Sequence, residues 1–269
     1  IAGVLLFGAG GRADAASAGA AYSSVLITDV PHVRQKPDFC GEACAEMYLR
    51  KLGFSITQDD VFNVSGTDPV LGRGCYTLEL ARALQNVGFK TNTVWHRIPA
   101  GSAADLQAQW AALHADLLAD VPAIVCMRTG LTPEATEHFR LVLGYDSATG
   151  EVIYHEPSEE KGAYRRMKLD EFLACWPLKY DGKTWTVIRL RLAPGKIVKP
   201  SAADGLSNAD YAQHIKALKE EIEGRDFIVL IQKPFVVIGE GKPDRVKVYA
   251  EQTVAWATRQ LKKAYFKKD

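Results

Sequence analysis

Apolar residues recur at three- and four-residue spacing along several stretches of the chain, which is the pattern of amphipathic helices. The pattern is clearest after Pro37, where one predicted face comprises Ala43, Cys44, Met47, Tyr48 and Leu52. Proline disfavours helix at the residue before it, and glycine commonly ends a helix. The first helix is therefore predicted to begin near Cys40 and to end at Gly53.

Helical and alternating patterns follow one another along the rest of the chain. Further helices are predicted at residues 55–64, 76–87, 103–120, 169–173, 208–223 and 245–268. Alternation of apolar and polar residues predicts strands at residues 89–96, 138–146, 151–157 and 185–192. An entry strand is predicted at residues 25–33, a short apolar strand at 122–128 and a strand pair within 227–238. This mixture indicates an α+β protein.

Two alternating runs, residues 138–146 and 151–157, flank a turn-rich tetrad and predict a β-hairpin. A turn centred on Ala148 pairs Gly144 with Val152, Val142 with Tyr154 and Arg140 with Glu156, and it buries Phe139, Leu141, Leu143 and Tyr145. His138 is then a diagonal neighbour of Glu156, about 7–8 Å away. Asp146 lies roughly 27 Å along the strand and cannot orient that imidazole. A slip of one residue would present His155 instead.

Cys40 occupies the first turn of the predicted helix, where unpaired N–H groups and the positive end of the helix dipole favour a thiolate. The thiolate is the nucleophilic form of cysteine. Most free cysteines pack as small hydrophobic residues. That description suits Cys44, which lies on the apolar face, and we assign Cys44 to the core.

Gln35, five residues before Cys40, and the Cys40-Gly41 pair at the start of a helix resemble the bacteriocin-processing (double-glycine leader) peptidases, in their free-standing form. Those enzymes are papain-like cysteine peptidases. The resemblance spans residues 24–193 and implies a helical lobe packed on an antiparallel sheet. It also implies that the Gln35 side chain and the backbone N–H of Cys40 form an oxyanion hole. The family usually has aspartate directly before the cysteine, whereas here Phe39 intervenes after Asp38.

The family's second motif has a histidine that opens one strand and an Asp-Pro that ends the next. His138 and Glu156-Pro157 occupy these places here, so a glutamate replaces the usual aspartate. A nucleophilic thiol needs a base and a group that holds the base in the correct tautomer. The resemblance implies that His138 is general base and then acid, and that Glu156 orients it.

The composition of the chain argues against several classes of protein. The chain has 269 residues, 47% of them hydrophobic and 24% charged, and its formal net charge of +1 gives no support to nucleic-acid binding. Five cysteines at irregular spacing do not form a disulfide framework. No His-Glu-x-x-His motif occurs, and Cys40 with Cys44 lacks the second pair that a zinc site needs. We expect no metal and no cofactor.

Four segments are predicted from the changes in composition. Residues 1–23 resemble the remnant of a signal peptide or a disordered leader, too short for a membrane span, and they suggest export to the periplasm or medium. Residues 24–193 form the peptidase-like domain, and residues 194–207 read as a linker. Residues 208–269 form a helix-strand-strand-helix extension, which either docks on the first domain or begins a second domain.

The favoured hypothesis is a cysteine peptidase that hydrolyses a peptide or protein substrate with Cys40, His138, Glu156 and Gln35. A degenerate site that only binds peptides is the second hypothesis, motivated by Phe39 and Glu156. A transglutaminase-like acyl transfer to an amine uses the same groups and is the third. The sequence indicates neither the substrate sequence nor the oligomeric state.

Overall fold

The computed structural model describes residues 22–201, 205–222 and 226–265. The helices are α1 (Cys40–Lys51), α2 (Gln58–Asn63), α3 (Thr77–Val87), α4 (Ala103–Leu118), α5 (Leu169–Cys175), α6 (Asn208–Glu221), α7 (Pro243–Tyr249) and α8 (Ala255–Tyr265). The strands are β1 (Val25–Leu26), β2 (Phe89–Lys90), β3 (Trp95–Pro99), β4 (Ala123–Arg128), β5 (Glu137–Asp146), β6 (Glu151–His155), β7 (Arg165–Lys168), β8 (Thr184–Arg191), β9 (Ala193–Pro194), β10 (Phe227–Gln232) and β11 (Phe235–Glu240). The predicted leader lies outside the described residues, apart from residues 22 and 23.

A seven-stranded antiparallel sheet forms the centre of the molecule, with the strand order β3-β8-β4-β5-β6-β7 and with β1 paired to the end of β5. Helix α1 packs against β5 and against α2 and α3. Cys44 is fully buried in the resulting core, as predicted. The predicted α+β architecture, a helical lobe on an antiparallel sheet, is confirmed.

Local signals account for the helix boundaries. The Thr57 side chain accepts from the backbone N–H of Asp60, and Asp60 accepts from the backbone N–H of Thr57, which completes a capping box at the start of α2. Gly88 adopts the left-handed conformation that ends α3, with φ at 114°. The helices predicted at residues 55–64 and 76–87 are thus present as α2 and α3.

The extents of two predicted strands were wrong: one strand is shorter than predicted, and the other is divided in two. Of residues 25–33 only Val25–Leu26 pairs as a strand, because Asp29 adopts a left-handed conformation with φ at 58° and turns the chain away. The strand predicted at 89–96 is divided into β2 and β3, and Asn92 between them has φ at 54°. A left-handed residue interrupts the extended backbone at each place.

The β5–β6 hairpin forms, with a register that differs at its turn. Val142 pairs with Tyr154 as predicted, whereas Gly144 pairs with Ile153 and not with Val152. A β-bulge between Val142 and Gly144 inserts one extra residue in β5 and accounts for the shift. The bulge lies beyond Val142, so the predicted pairing is kept at the end of the hairpin that carries His138 and Glu156.

The C-terminal extension docks on the rest of the molecule through α6, which packs against α2 and against a 3-10 turn at Pro69–Leu71. Its buried face consists of Ala209, Tyr211, Ala212 and Ile215. Strands β10 and β11 form an antiparallel hairpin, as predicted. The long final helix is present as α7 and α8, joined by a π-helical turn at Ala250–Val254. No helix in the described ranges is both long and apolar enough to span a membrane.

The predicted linker is attached at its start to β2, in a small two-stranded sheet, and to the end of α3. Strand β9 pairs with β2, and the N–H of Val198 donates to the carbonyl of Val87 at 2.9 Å. These bonds hold the chain as it leaves β8.

Candidate active site

A cleft of about 740 Å³ lies between the N-terminus of α1, the loop at residues 73–78 and the start of β5. Gln35, Cys40 and His138 line it together. Glu156 lies behind His138 and hydrogen-bonds to its ring. The structure therefore brings together the side chains that the sequence singled out, from positions more than a hundred residues apart.

Cys40 is the first residue of α1, and no side chain caps this end of the helix. Burial raises the pKa of its thiol to about 12, the nearby Glu42 carboxyl adds to the rise, and hydrogen bonding to the backbone of Phe139 acts in the opposite direction. The prediction that the helix N-terminus yields a stable thiolate was therefore wrong. Desolvation outweighs the backbone hydrogen bonds of Phe139 and of the first residues of α1, which lower the pKa.

We expect alkylation of Cys40 by iodoacetamide to accelerate throughout the neutral and mildly alkaline range. Only the thiolate reacts, and a pKa of about 12 lies above that range. The rate should therefore rise about tenfold for each pH unit. Mass mapping of the carbamidomethyl group on Cys40 gives the rate, with N-acetylcysteine as the reference thiol. A rate that is level from about pH 6 upward would reveal a thiolate at neutral pH and contradict the expectation.

His138 stands at the start of β5 and contacts Glu156 through its Nε2 atom, 2.5 Å from Oε1. An ionised carboxylate only accepts hydrogen bonds, so Nε2 carries the proton in this contact. The lone pair of the neutral ring is then on Nδ1. The predicted contact between His138 and Glu156 is confirmed, and it leaves the second ring nitrogen available as a base.

The Glu156 carboxylate is bonded on both oxygens. The Nε of Arg140 donates to Oε2 at 2.7 Å, and the N–H and Oγ–H of Ser158 donate to Oε1 at 3.1 and 2.7 Å. Burial acts to raise the pKa of Glu156. The hydrogen bond and charge of His138, together with Ser158 and Arg140, nonetheless hold that pKa well below its usual range. Glu156 is therefore a carboxylate at neutral pH.

The predicted hairpin pairs Arg140 with Glu156, but no role in the site was predicted for Arg140 from the sequence. Ser158 was not identified at all. The cross-strand pairing was the signal for Arg140. Ser158 follows Pro157 in a loop, and nothing in the pattern of the sequence marks it. Both residues matter because a buried carboxylate needs partners for all its lone pairs.

The backbone near Glu156 is tied to the segment that carries Gln35. The N–H of Gln35 donates to the carbonyl of Pro157 at 2.8 Å, and a ring nitrogen of His32 donates to the carbonyl of Glu156 at 2.9 Å. On the opposite side, the N–H of Lys36 donates to the Gln58 side chain at 2.7 Å. The position of Gln35 is thus linked to that of the carboxylate.

Gln35 lines the cleft, and its side-chain oxygen is buried with no hydrogen-bond partner among the described residues. Buried polar atoms without partners are rare in proteins and occur at functional sites. The side-chain oxygen of Gln35 at this wall of the cleft is therefore available to accept a hydrogen bond from a bound molecule.

Phe39 and Cys44, the other two residues that the sequence singled out near Cys40, are part of the hydrophobic core. Phe39 is fully buried and stacks on Phe62, with ring centroids 4.9 Å apart. The Sγ of Cys44 contacts the carbonyl of Phe139 at 3.8 Å. Within the described ranges no three His, Cys, Asp or Glu side chains are grouped to hold a metal ion.

Comparisons with known proteins give one family match. A model of the Peptidase C39-like family matches residues 27–182, which is more than half of the chain. The chain is similar to the crystal structure of the peptidase domain of Streptococcus ComA, a bi-functional ABC transporter involved in a quorum-sensing pathway. The identity is 19%, the match covers 64% of this chain and 98% of that chain, and the TM-score is 0.39. A search of curated proteins finds no match.

Proposed function

Because the chain belongs to the Peptidase C39-like family, we propose that it is a cysteine peptidase in which Cys40 is the nucleophile, His138 the general base and Glu156 the group that orients His138. The observation that carries the proposal is the Nε2–Oε1 contact of 2.5 Å between His138 and Glu156. It directs Nδ1, the basic nitrogen of the ring, away from the carboxylate. That Cys40 and His138 line the same cleft supports the assignment of this nitrogen as the base for the thiol.

In the first half of the reaction the sulfur of Cys40 attacks the carbonyl carbon of a peptide bond. The thiol proton passes to Nδ1 of His138, which is needed because burial keeps the free thiol protonated. The C–S bond forms while the carbonyl π electrons move onto oxygen. The imidazolium that results is stabilised by the Glu156 carboxylate.

The oxyanion of this intermediate is stabilised by the backbone N–H of Cys40 and by the side-chain amide of Gln35. When the intermediate collapses, the C–N bond breaks and His138 gives its proton to the leaving amine. A thioester on Cys40 remains. In the second half, water gives a proton to His138 and attacks the thioester, which releases the carboxylic acid and returns the thiol.

The mouth of the cleft favours a peptide with apolar side chains. Tyr76, Leu78, Trp95 and Tyr180 line the cleft and are exposed. Arg73 lies over the ring of Tyr76 at 3.6 Å and is paired with Glu79. Exposed aromatic residues around a cleft are typical of surfaces that bind peptides.

Product analysis tests the proposed reaction against the alternatives. The protein is incubated with a peptide mixture in ¹⁸O-labelled water that contains glycine methyl ester as an added amine. A peptidase yields new carboxyl termini that carry ¹⁸O, and an acyltransferase yields amides of the added amine. Peptides that co-purify with the protein but stay intact would indicate a binding module and overturn the proposal.

Removal of the Gln35 amide should lower turnover and leave the thiol reactive. We expect Gln35→Ala to reduce kcat by about 10²–10³-fold, the usual loss for one oxyanion donor. Alkylation of Cys40 by iodoacetamide should change little, since no oxyanion forms in that reaction. Gln35→Glu, which keeps the size of the side chain but removes its N–H donors, should be as slow as Gln35→Ala. Full turnover in either variant would remove Gln35 from the oxyanion hole.

A further inference from the structure

The chain reaches Cys40 through a tight turn whose conformation needs outside support. The N–H of Phe39 donates to the carbonyl of Lys36 at 2.9 Å, and Asp38 has φ at 63°. Proline at the second position fixes a negative φ there, so residues 36–39 form a type II turn. That turn normally has glycine where Asp38 lies, and aspartate, although it adopts the left-handed conformation more readily than most residues, does so less easily than glycine.

Helix α6 contacts this turn at its two distinctive points. The Nε2 of Gln213 donates to the carbonyl of Pro37 at 2.9 Å, and the Nζ of Lys216 is 2.9 Å from the Asp38 carboxylate. The peptide between Pro37 and Asp38 is the one whose orientation distinguishes a type II turn from a type I turn. Gln213 therefore holds the peptide that would have to rotate, and Lys216 holds the left-handed residue.

A third residue of α6, Lys219, contacts the loop that contains the 3-10 turn at Pro69–Leu71. The Nζ of Lys219 donates to the carbonyls of Val70 and Leu71 at 3.0 and 2.8 Å. The same loop continues to Gly74, where a Cβ atom would lie 2.0 Å from the carbonyl oxygen of Asp38. The turn is thus enclosed between α6 and a backbone that approaches it as closely as glycine allows.

The α6 residues that make these contacts lie outside the region that matches the family, which ends at residue 182. We propose that α6 is a brace for the nucleophile, with Gln213 and Lys216 as positioning residues that hold the 36–39 turn and, through it, Cys40 and its backbone N–H in the cleft. The expected contribution of α6 to turnover rests on the proposed peptidase function, whereas its stabilisation of the 36–39 turn does not depend on that function.

The test uses the full chain with Gln213→Ala, Lys216→Met and the double variant. Hydrogen–deuterium exchange should become faster at residues 36–41 and stay unchanged in β4 and β5. Alkylation of Cys40 should also become faster, since a looser turn exposes the sulfur, while the core residue Cys44 stays unlabelled. For a cleaved peptide, kcat should fall about tenfold in each single variant and by up to about 10²-fold in the double variant, with little change in KM.

Two further variants of α6 separate positioning from a general loss of structure. Glu220→Gln removes the other ion-pair partner of Lys216, which lies 3.2 Å away, and leaves the contact with Asp38 in place, so it should behave as wild type. Lys216→Arg keeps the charge and should retain most of the turnover. Unchanged exchange at residues 36–41 in the double variant would overturn the brace. Absence of peptide hydrolysis in the wild type would overturn the peptidase proposal alone.

Discussion

Replacement of Cys40 by alanine should lower kcat for peptide hydrolysis by at least about 10³-fold, because the proposed mechanism forms the thioester on Cys40 and gives no part to Cys75 or Cys126, which also line the cleft. The measurement is the release of product from a cleaved peptide under single-turnover conditions. The variant loses only one sulfur atom, so its melting temperature should stay close to that of the wild type.

Cys126→Ala is the matched control for this substitution. Cys126 lines the same cleft as Cys40 but lies within β4 and not at a helix N-terminus, and its Sγ is 4.0 Å from the Glu137 carboxylate, which has no part in the proposed mechanism. Its turnover should be within a factor of about two or three of the wild type. If Cys40→Ala hydrolyses the peptide as fast as this control, Cys40 is not the nucleophile.

The second large effect is expected at Glu156. We expect Glu156→Gln to reduce kcat by up to about 10⁴-fold, the loss on removal of the orienting carboxylate in a serine-protease triad, because the amide has no charge to stabilise the imidazolium and its NH₂ group can donate to Nε2 and favour the wrong tautomer. Glu156→Asp keeps the charge but shortens the reach to Nε2. It should retain more activity than Glu156→Gln. Equal activity of Glu156→Gln and wild type would show that the carboxylate has no part in catalysis.

The same substitution should destabilise the fold, and a double variant distinguishes the two effects. Glu156→Gln leaves the buried guanidinium of Arg140 without its counter-charge, which we expect to cost about 3 kcal/mol in the free energy of unfolding by urea. Removal of both charges in Glu156→Gln with Arg140→Met should restore most of that stability but none of the turnover. If activity returned with stability, Glu156 would have a structural role only.

The parts of the site that sequence reasoning found depend on local patterns. The helix that begins at Cys40 follows from Pro37 and from the spacing of apolar residues behind it. The contact of His138 with Glu156 follows from alternation in two strands and from the turn between them. The bulge near Val142 shifted the register only toward the turn, so it left this contact intact.

The parts that were missed depend on residues far apart in the chain. The pKa of Cys40 is raised chiefly by burial, which outweighs the lowering by backbone hydrogen bonds at the start of its own helix and at Phe139, about a hundred residues away. The support of the 36–39 turn by Gln213 and Lys216 joins residues more than 170 positions apart. Asp29 is one of the polar residues that can adopt a left-handed conformation, but nothing nearby required it to do so.

The most direct test identifies the atom that carries the acyl group. The wild type and His138→Ala are mixed with a peptide that the wild type cleaves, quenched with acid within the first turnover, and mapped by mass spectrometry. We predict a thioester on Cys40 in the wild type, which is not formed at a measurable rate in His138→Ala. Peptide cleavage without any acyl group on Cys40 would contradict the assignment of Cys40 and His138 as the nucleophile and its base.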